Sequence, residues 1–277
     1  MNRTLAVISA MTWEINPVKN AVLKLGWNKT RCLLPGKDKL KHVDVFVKDN
    51  NNIIFYSTGV GKNRAQKNIK RFFDNFNLSD ILFAGFAGAL TEGLDAGSVL
   101  WPQLIYNDGT KEKYICNKER LKHKSMRFLK RAVKQYPDED KDGDSCCKSA
   151  DKTILVTSDE LKDKKGKQIL QRDFPDAVIV DMESFYIAQA AAGMGLSLNI
   201  CKSVSDAFLF EFPAEKFIKI IFSRKNYFGK LLFFIKKKIS FRELLRLRLL
   251  YSNSRKARKS LNISVIKFIK LWAENRR

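Results

Sequence analysis

Two residue types that dominate metal and redox sites are scarce in this 277-residue sequence. It contains only two histidines, His42 and His123, and both lie in polar surroundings. The five cysteines are odd in number, and no two have the C-x-x-C spacing of zinc and redox sites. The sequence therefore predicts no metal site, no other cofactor and no histidine catalysis, and it favours reduced thiols in a cytoplasmic protein.

Long apolar runs are also missing, since no run approaches the roughly 18 residues that a membrane-spanning helix needs. The apolar stretch Leu5–Met11 follows Arg3, as in a signal peptide, but no small-residue cleavage site comes after it. Glu14 and Pro17 follow instead, which is typical of a buried strand entering a helix. We therefore expect a soluble or peripheral protein.

Acidic residues are few, with 29 Asp and Glu against 52 Lys and Arg and a formal net charge of +23. The excess is concentrated at the C-terminus, where residues 214–277 contain 19 basic and 3 acidic residues. Such an excess predicts an anionic partner. The same residues include many Phe, Ile and Leu, which is the pattern of basic amphipathic helices that bind anionic lipid surfaces.

We therefore predict a catalytic domain over residues 1–213 and a basic amphipathic helical extension over 214–277. The extension would hold the protein peripherally on the inner face of a membrane by its charge and by shallow insertion. Nucleic acid is a less favoured partner, because the bulky apolar residues are too abundant for a simple phosphate-binding tail.

Strands and helices alternate along the first 213 residues, which predicts a three-layer α/β/α sandwich around a mixed, mainly parallel sheet. The polar run Asp49–Asn52 predicts a hairpin, and the segment 107–150 is charged and weakly periodic. The predicted strands are Thr4–Ala10, Val43–Val47, Ile53–Thr58, Ile81–Ala84, Ser98–Ile105, Ile154–Thr157, Ala177–Val180 and Leu196–Val204. The predicted helices follow Thr4–Ala10 up to Leu25 and span Lys62–Phe76, Ser125–Gln135, Lys167–Arg172 and Glu183–Met194.

Four segments, taken in order, resemble the methylthioadenosine/S-adenosylhomocysteine nucleosidases and other nucleoside phosphorylases. They are VISAMTWE (Val7–Glu14), STGVGK (Ser57–Lys62) with the following AGFAGAL (Ala84–Leu90), VDMESFYIAQAA (Val180–Ala191) and CKSVSDAF (Cys201–Phe208). Each segment is weak alone, but the four come in the family's order, each at a strand end, where open α/β sheets bind their ligands. Together they cover residues 4 to 212.

The resemblance implies cleavage of the N-glycosidic bond of a 5′-modified adenosine with release of adenine. It implies that Asp206, oriented by Ser205, protonates the purine, and that Glu14 positions and deprotonates the attacking water. It implies that Glu183 accepts hydrogen bonds from the ribose hydroxyls and that Met182 packs against the ribose. Three further substrate contacts are implied at Met11, Val60 and Phe86. Two carboxyl groups with opposite protonation demands suit glycoside cleavage.

Phosphorylases of this superfamily bind phosphate through arginines, and Ser9–Glu14 and Ile81–Gly85 contain none. A glutamate at this place would also repel phosphate, so the sequence favours water as the nucleophile. Lys62 and Arg64 follow the Gly-Val-Gly turn and are candidate phosphate ligands. Phosphorolysis therefore stays an alternative.

The sequence departs from the nucleosidase pattern at Phe86, Asp181, Leu161 and Lys202. A phenylalanine beside the sugar makes the pocket apolar, which favours a 5′ substituent other than methylthio. With the lipid-binding extension, the chain resembles the hopanoid-associated phosphorylase branch, which implies conversion of adenosylhopane to ribosyl-hopane.

Two alternatives stay open: a soluble methylthioadenosine/S-adenosylhomocysteine nucleosidase, and a non-catalytic nucleoside- or nucleic-acid-binding protein. The sequence does not determine the 5′ substituent, whether the protein forms a homo-oligomer, or whether residues 107–150 form a lid.

Overall fold

The structure, a computed structural model, describes residues 3–34, 41–116, 153–212 and 240–274, with backbone only for Lys41, His42 and Phe241. The strands are β1 (Arg3–Ser9), β2 (Asn28–Leu34), β3 (Lys41–Lys48), β4 (Asn51–Ser57), β5 (Asp80–Ala89), β6 (Val99–Leu100), β7 (Leu104–Asn107), β8 (Lys113–Ile115), β9 (Ile154–Thr157), β10 (Ala177–Asp181) and β11 (Ser197–Asp206). The helices are α1 (Thr12–Lys24), α2 (Lys62–Phe73), α3 (Lys164–Asp173), α4 (Ser184–Gly193) and α5 (Phe241–Glu274).

The strands form one mixed sheet in the order β2-β3-β4-β1-β5-β10-β9-β7-β8, with β11 pairing β5 and β6. Parallel pairs join β4, β1, β5 and β11 at its centre, while β2, β3 and β8 pair antiparallel at the ends. This central parallel arrangement places the carboxyl ends of β1, β4, β5 and β11 along one edge. The predicted mixed α/β fold is confirmed.

Apolar side chains cover both faces of the sheet, because successive side chains of a strand point to opposite faces. In β1, Ala6 and Ile8 belong to the cluster that includes α2 and α4, whereas Leu5 and Val7 belong to the cluster that includes α1 and α5. The helices therefore form a layer on each face of the sheet.

Most predicted strands differ from the structure by one or two residues at an end, and two of them differ more. The predicted strand Ile81–Ala84 is too short, because β5 continues through the glycine-rich run to Ala89 while pairing with β11. The predicted strand Ser98–Ile105 is divided into β6 and β7, with Pro102 between them. Proline has no N–H for strand pairing, which explains this division.

Helix α5 packs on the same core as the first strand and helix. Ala257, Leu261, Val265 and Ile269 recur every four residues and are buried, and Trp272 donates from Nε1 to Asp80 Oδ2 at 2.9 Å. The described end of the basic extension is thus part of the core, and the division of the chain at residue 213 stays a prediction. Within the described ranges no helix is long and apolar enough to span a membrane.

Several predictions lie outside the described residues. They are the helix Ser125–Gln135, most of the segment 107–150, whose role as a lid the sequence does not determine, and the first part of the extension. Strand β2, which the sequence did not predict, is an exposed strand whose first six residues face solvent.

Candidate active site

Glu14 connects the start of α1 to the middle of β5. Its Oε2 accepts a hydrogen bond from the Met11 amide at 2.7 Å, and its Oε1 accepts one from the Phe86 amide at 3.2 Å. The side chain lies in the first turn of α1, where the helix dipole favours a carboxylate. Only 1% of Glu14 is exposed, so two amides replace the water that such a group normally binds.

Glu183 lies directly before α4 and contacts the glycine turn that precedes α2. Its Oε1 accepts a hydrogen bond from the Gly61 amide at 2.7 Å. Gly61 has a φ of 86°, a backbone conformation that side chains rarely adopt, so glycine is required for this approach. The turn thereby presents an amide to a buried carboxyl group.

Asp181 and Lys202 form a fully buried ion pair between β10 and β11. Their charged atoms are 2.7 Å apart, and both side chains are 1% exposed. The same carboxylate accepts hydrogen bonds from the Ser184 amide and hydroxyl and from Thr157 Oγ1. Asp181, at which the sequence departs from the nucleosidase pattern, thus fixes the start of α4 and holds Lys202 in place.

Lys202, Glu14, Asp181 and Glu183 together form the Lys202 cluster, in which three carboxyl groups share one cation. Burial raises the pKa of Glu14 to about 7, although the charge of Lys202 opposes the rise. Burial, assisted by the negative charge of Asp181, raises the pKa of Glu183 to about 8. A carboxyl group that exchanges its proton near neutral pH has the property of a general acid or base.

Asp206 lies at the end of β11 and forms a second charge group with Lys167 of α3, the Lys167 pair. Lys167 Nζ donates to Asp206 Oδ2 and, at 2.9 Å, to the carbonyl oxygen of Ala207. Ser205 Oγ lies 2.7 Å from Asp206 Oδ1. The predicted contact between Ser205 and Asp206 is thus present in the structure, and Lys167 is a partner that the sequence analysis missed.

The glycines of β5 make room for these charged side chains. A Cβ atom at Gly88 would lie 2.6 Å from Asp206 Oδ2 and 3.0 Å from Lys167 Cε. A Cβ atom at Gly85 would lie 3.4 Å from both Glu14 Oε1 and Lys202 Nζ. At these two glycines the backbone of β5 packs directly against the charged side chains of both groups.

The other predicted substrate contacts are only partly buried, unlike the carboxyl groups beside them. These residues are Met11, Val60, Phe86, Met182 and Ser205. Phe86 packs edge-on against Trp13, with ring centroids 5.1 Å apart, and Trp13 Nε1 lies 3.2 Å from Met11 Sδ. The structure thus brings an apolar rim next to Glu14, and Trp13 is the member that the sequence analysis missed.

The two basic residues after the glycine turn differ, since Lys62 forms a surface ion pair whereas Arg64 is exposed. Lys62 Nζ lies 3.1 Å from Asp159 Oδ2, and Arg64 packs beneath Gly59. Leu161 is exposed. Among the residues that the structure describes, no three His, Cys, Asp or Glu side chains are grouped so that they can hold a metal ion.

Comparison with known proteins gives consistent matches. Over 208 residues the chain is 26% identical to a 5′-methylthioadenosine/S-adenosylhomocysteine nucleosidase of Buchnera aphidicola, covering 66% of this chain and 82% of that protein. A protein of the same description from Listeria innocua is 25% identical over 211 residues, covering 73% of this chain and 86% of that protein.

Solved structures share the fold at low sequence identity. The corresponding nucleosidase of Neisseria meningitidis, in complex with methylthio-immucillin-A, matches with a TM-score of 0.66 at 15% identity, covering 97% of this chain and 99% of that chain. Futalosine hydrolase of Helicobacter pylori matches with a TM-score of 0.63 at 14% identity, covering 96% and 98%.

The family comparison agrees with the four motifs. The sequence model of the phosphorylase superfamily matches residues 4–219, which is more than three quarters of the chain. The chain therefore belongs to the phosphorylase superfamily, as its motifs predict.

Proposed function

We propose that this protein is a purine nucleosidase that hydrolyses the N-glycosidic bond of a 5′-modified adenosine and releases adenine. The observation that carries the proposal is the burial of Glu14, Glu183 and Asp206 beside the strand ends of a phosphorylase-superfamily fold. Burial of a carboxyl group costs free energy of folding. Several buried carboxyl groups at one place therefore indicate a functional site. The matched relatives from Buchnera and Listeria are nucleosidases by description.

Glu14 is the proposed general base that positions water and takes its proton. The Met11 and Phe86 amides fix both of its oxygens, which holds the carboxylate in one orientation. A pKa of about 7 lets the group be ionised before attack and accept a proton during it.

Glu183 and Met182 are the proposed sugar contacts. Glu183 uses one oxygen to bind the Gly61 amide, so its other oxygen is available in this arrangement to accept from ribose hydroxyls. Met182, partly exposed next to it, supplies an adaptable apolar surface of the kind that fits a sugar face.

Asp206 is the proposed group that transfers a proton to the leaving purine, with Ser205 holding its Oδ1. Protonation of the base stabilises the electron pair that the base carries away from the anomeric carbon. The arrangement of charges supports water as nucleophile, because Lys202, the cation of the Lys202 cluster, is already paired with Asp181 and is not available to bind phosphate. Lys62, one of the two phosphate ligands that the sequence leaves as candidates, is already paired with Asp159.

The first experiment is adenine release from methylthioadenosine, S-adenosylhomocysteine and adenosylhopane in liposomes, with and without phosphate. We expect phosphate-independent release, and Asp206→Asn and Glu14→Gln should each lower kcat by about 10²–10⁴-fold. Asp173→Asn, an exposed change on α3, is the control. Activity that needs phosphate would replace hydrolysis by phosphorolysis, and full activity of Asp206→Asn would refute its role.

The proposed 5′ substituent is a lipid, with adenosylhopane as the specific candidate. The rim of Trp13, Phe86 and Met11 makes the surroundings of Glu14 apolar. Helix α5 exposes a row of bulky apolar residues next to arginines at its start. The row consists of Leu244, Leu245, Leu249 and Tyr251, each about half exposed or more. Basic helices with such a face bind anionic bilayers.

Sedimentation with liposomes tests this peripheral attachment to the inner face of the cytoplasmic membrane. Wild-type protein should sediment with vesicles of phosphatidylglycerol and phosphatidylethanolamine, and Leu245→Glu with Leu249→Glu should reduce the bound fraction at least fivefold. Leu23→Glu alters a leucine of α1 that is 41% exposed and should have no effect. A wild type that does not sediment with vesicles would favour the alternative of a soluble nucleosidase, and equal binding of all three proteins would show that these leucines of α5 do not carry the attachment.

A non-catalytic nucleoside- or nucleic-acid-binding protein is the remaining alternative. The raised pKa values of the buried Glu14 and Glu183 argue against it, because a binding module gains nothing from carboxyl groups that exchange protons near neutral pH. A salt-dependent shift of DNA or RNA without any adenine release would support it.

A further inference from the structure

Lys167 has no part in the roles proposed above, yet it is one of the most buried side chains of the protein. Its side chain is 1% exposed, and its ammonium group uses all of its three donors within the protein. The acceptors are Asp206 Oδ2, the Asp206 carbonyl at 3.3 Å and the Ala207 carbonyl at 2.9 Å. A buried ammonium needs a negative partner, and Asp206 is that partner.

This pairing changes the chemistry expected of Asp206. In an ion pair the proton is on the lysine nitrogen, and a carboxylate has no proton of its own to give to a leaving base. Among the residues that the structure describes, Ser205 and Lys167 are the two that donate hydrogen bonds to the Asp206 carboxylate. A proton that reaches the base through Asp206 therefore has a direct source in the lysine.

We infer that Lys167 is the positioning residue for the leaving-group proton, which it supplies to the purine through Asp206; this inference rests on the proposed function. As the C–N bond breaks, the electron pair stays on the base. The base takes a proton from Asp206, and Asp206 takes one from Lys167, which becomes a neutral amine. The attacking water gives its proton to Glu14, and exchange with solvent then restores both groups.

Gly88 lies directly against the Lys167 pair and offers a second way to disturb it. Its φ is not in the left-handed region, so its backbone conformation does not require glycine. A Cβ atom there would collide with Asp206 Oδ2 at 2.6 Å and approach Lys167 Nζ to 3.1 Å. The absence of a side chain at Gly88 leaves room for the Lys167 pair. Gly88→Ala therefore disturbs the pair without changing either of its residues.

The leaving group tests the inference. Adenine needs a proton to leave, whereas 4-nitrophenolate leaves 4-nitrophenyl β-ribofuranoside as a stable anion. The comparison uses this riboside and the adenosine derivative that the wild type cleaves fastest. Lys167→Met should lower kcat for adenine release by about 100-fold, and at least ten times more than for the riboside, with little change in KM. Lys165→Met, at an exposed position of α3, should change neither rate.

Two more variants keep the test decisive if Lys167→Met folds poorly. Lys167→Arg keeps the positive charge but does not release its proton, so it should show the same selective loss. Gly88→Ala should show it too. Equal losses on both substrates would overturn the inference and make Lys167 purely structural, and undiminished adenine release by Lys167→Met would also overturn it. A wild-type protein that releases no adenine would instead refute the proposed function.

Discussion

The two charge groups of the candidate site differ in balance. The Lys202 cluster has three carboxyl groups for one cation, whereas the Lys167 pair has one carboxylate for one cation. The excess of acid in the cluster accompanies raised pKa values at Glu14 and Glu183. In the unbalanced cluster burial raises the pKa of Glu14 and Glu183 to near neutral pH, with the charge of Asp181 adding to the rise at Glu183, whereas in the balanced pair the carboxylate has a cation of its own.

Replacing the lysine of each charge group should give the largest difference in stability between the two groups. Lys202→Met leaves three buried carboxyl groups without a cation, so we expect a loss of about 3–5 kcal/mol in the free energy of unfolding. Lys167→Met leaves a single carboxyl group without its cation, so the free energy of unfolding should fall less, by about 1–3 kcal/mol. Urea unfolding of both variants measures the difference. A larger loss for Lys167→Met would contradict the distinction between cluster and pair.

Glu14→Gln should change how the free energy of unfolding depends on pH, because Glu14 belongs to the cluster with raised pKa values. The pKa of Glu14 is raised from 4.5 to about 7 in the folded protein, so over that interval the folded state holds a proton that the unfolded chain has released. The free energy of unfolding therefore falls as pH rises from 4.5 to about 7. Glutamine mimics the protonated form.

At pH 5 this variant should match the wild type, and at pH 8 it should be more stable by on the order of 1–3 kcal/mol. Denaturation at the two pH values measures this gain. Glu112→Gln, an exposed substitution, is the control. A wild type whose stability rises between these pH values, with no gain from Glu14→Gln, would argue against the raised pKa.

The rate of adenine release should depend on the same proton. Because the base is active only when ionised, kcat/KM should fall about tenfold per pH unit below the Glu14 pKa of about 7. Initial rates between pH 5 and 8 measure the acid limb, and Glu183→Gln should retain it at lower activity. A flat profile over this interval would remove Glu14 from the role of base.

A paired carboxylate near the surface should show the smallest effect. Asp44 lies 2.9 Å from Lys29 and 3.2 Å from Lys19, distances similar to that of the buried Asp181–Lys202 pair. Its side chain is 22% exposed, so water screens the interaction. Asp44→Asn should cost less than about 1 kcal/mol in urea unfolding. A cost as large as that of Lys202→Met would show that distance, not burial, governs these pairs.

Local pattern was sufficient for much of the fold. The predicted strand Ile154–Thr157 has the same bounds as β9, and the hairpin at Asp49–Asn52 closes with Lys48 opposite Asn51. Apolar periodicity and turn residues act within a few positions, so they can be read from sequence alone. Strand β2 has neither signal, since its polar residues face solvent and only pairing with β3 keeps it extended.

The candidate site was only partly predictable, because its partners are far apart in the chain. The motifs identified Glu14, Glu183 and Asp206, whose roles stay predictions. Lys167 is 39 residues from Asp206, and its neighbours Lys164 and Lys165 make it look like one more solvated lysine. Its one local signal is Leu170, three positions on, which shares its buried helix face.

Helix α5 is the last described element to leave the ribosome, yet it covers the first ones. Arg3 Nη1 donates to the Trp272 carbonyl at 3.1 Å, a contact between residues 269 positions apart. Leu261, Val265 and Ile269 close the cluster that contains Leu5 and Val7. During synthesis this face of β1 stays uncovered until α5 has been made. The core around β1 therefore cannot be completed before the ribosome has passed residue 269.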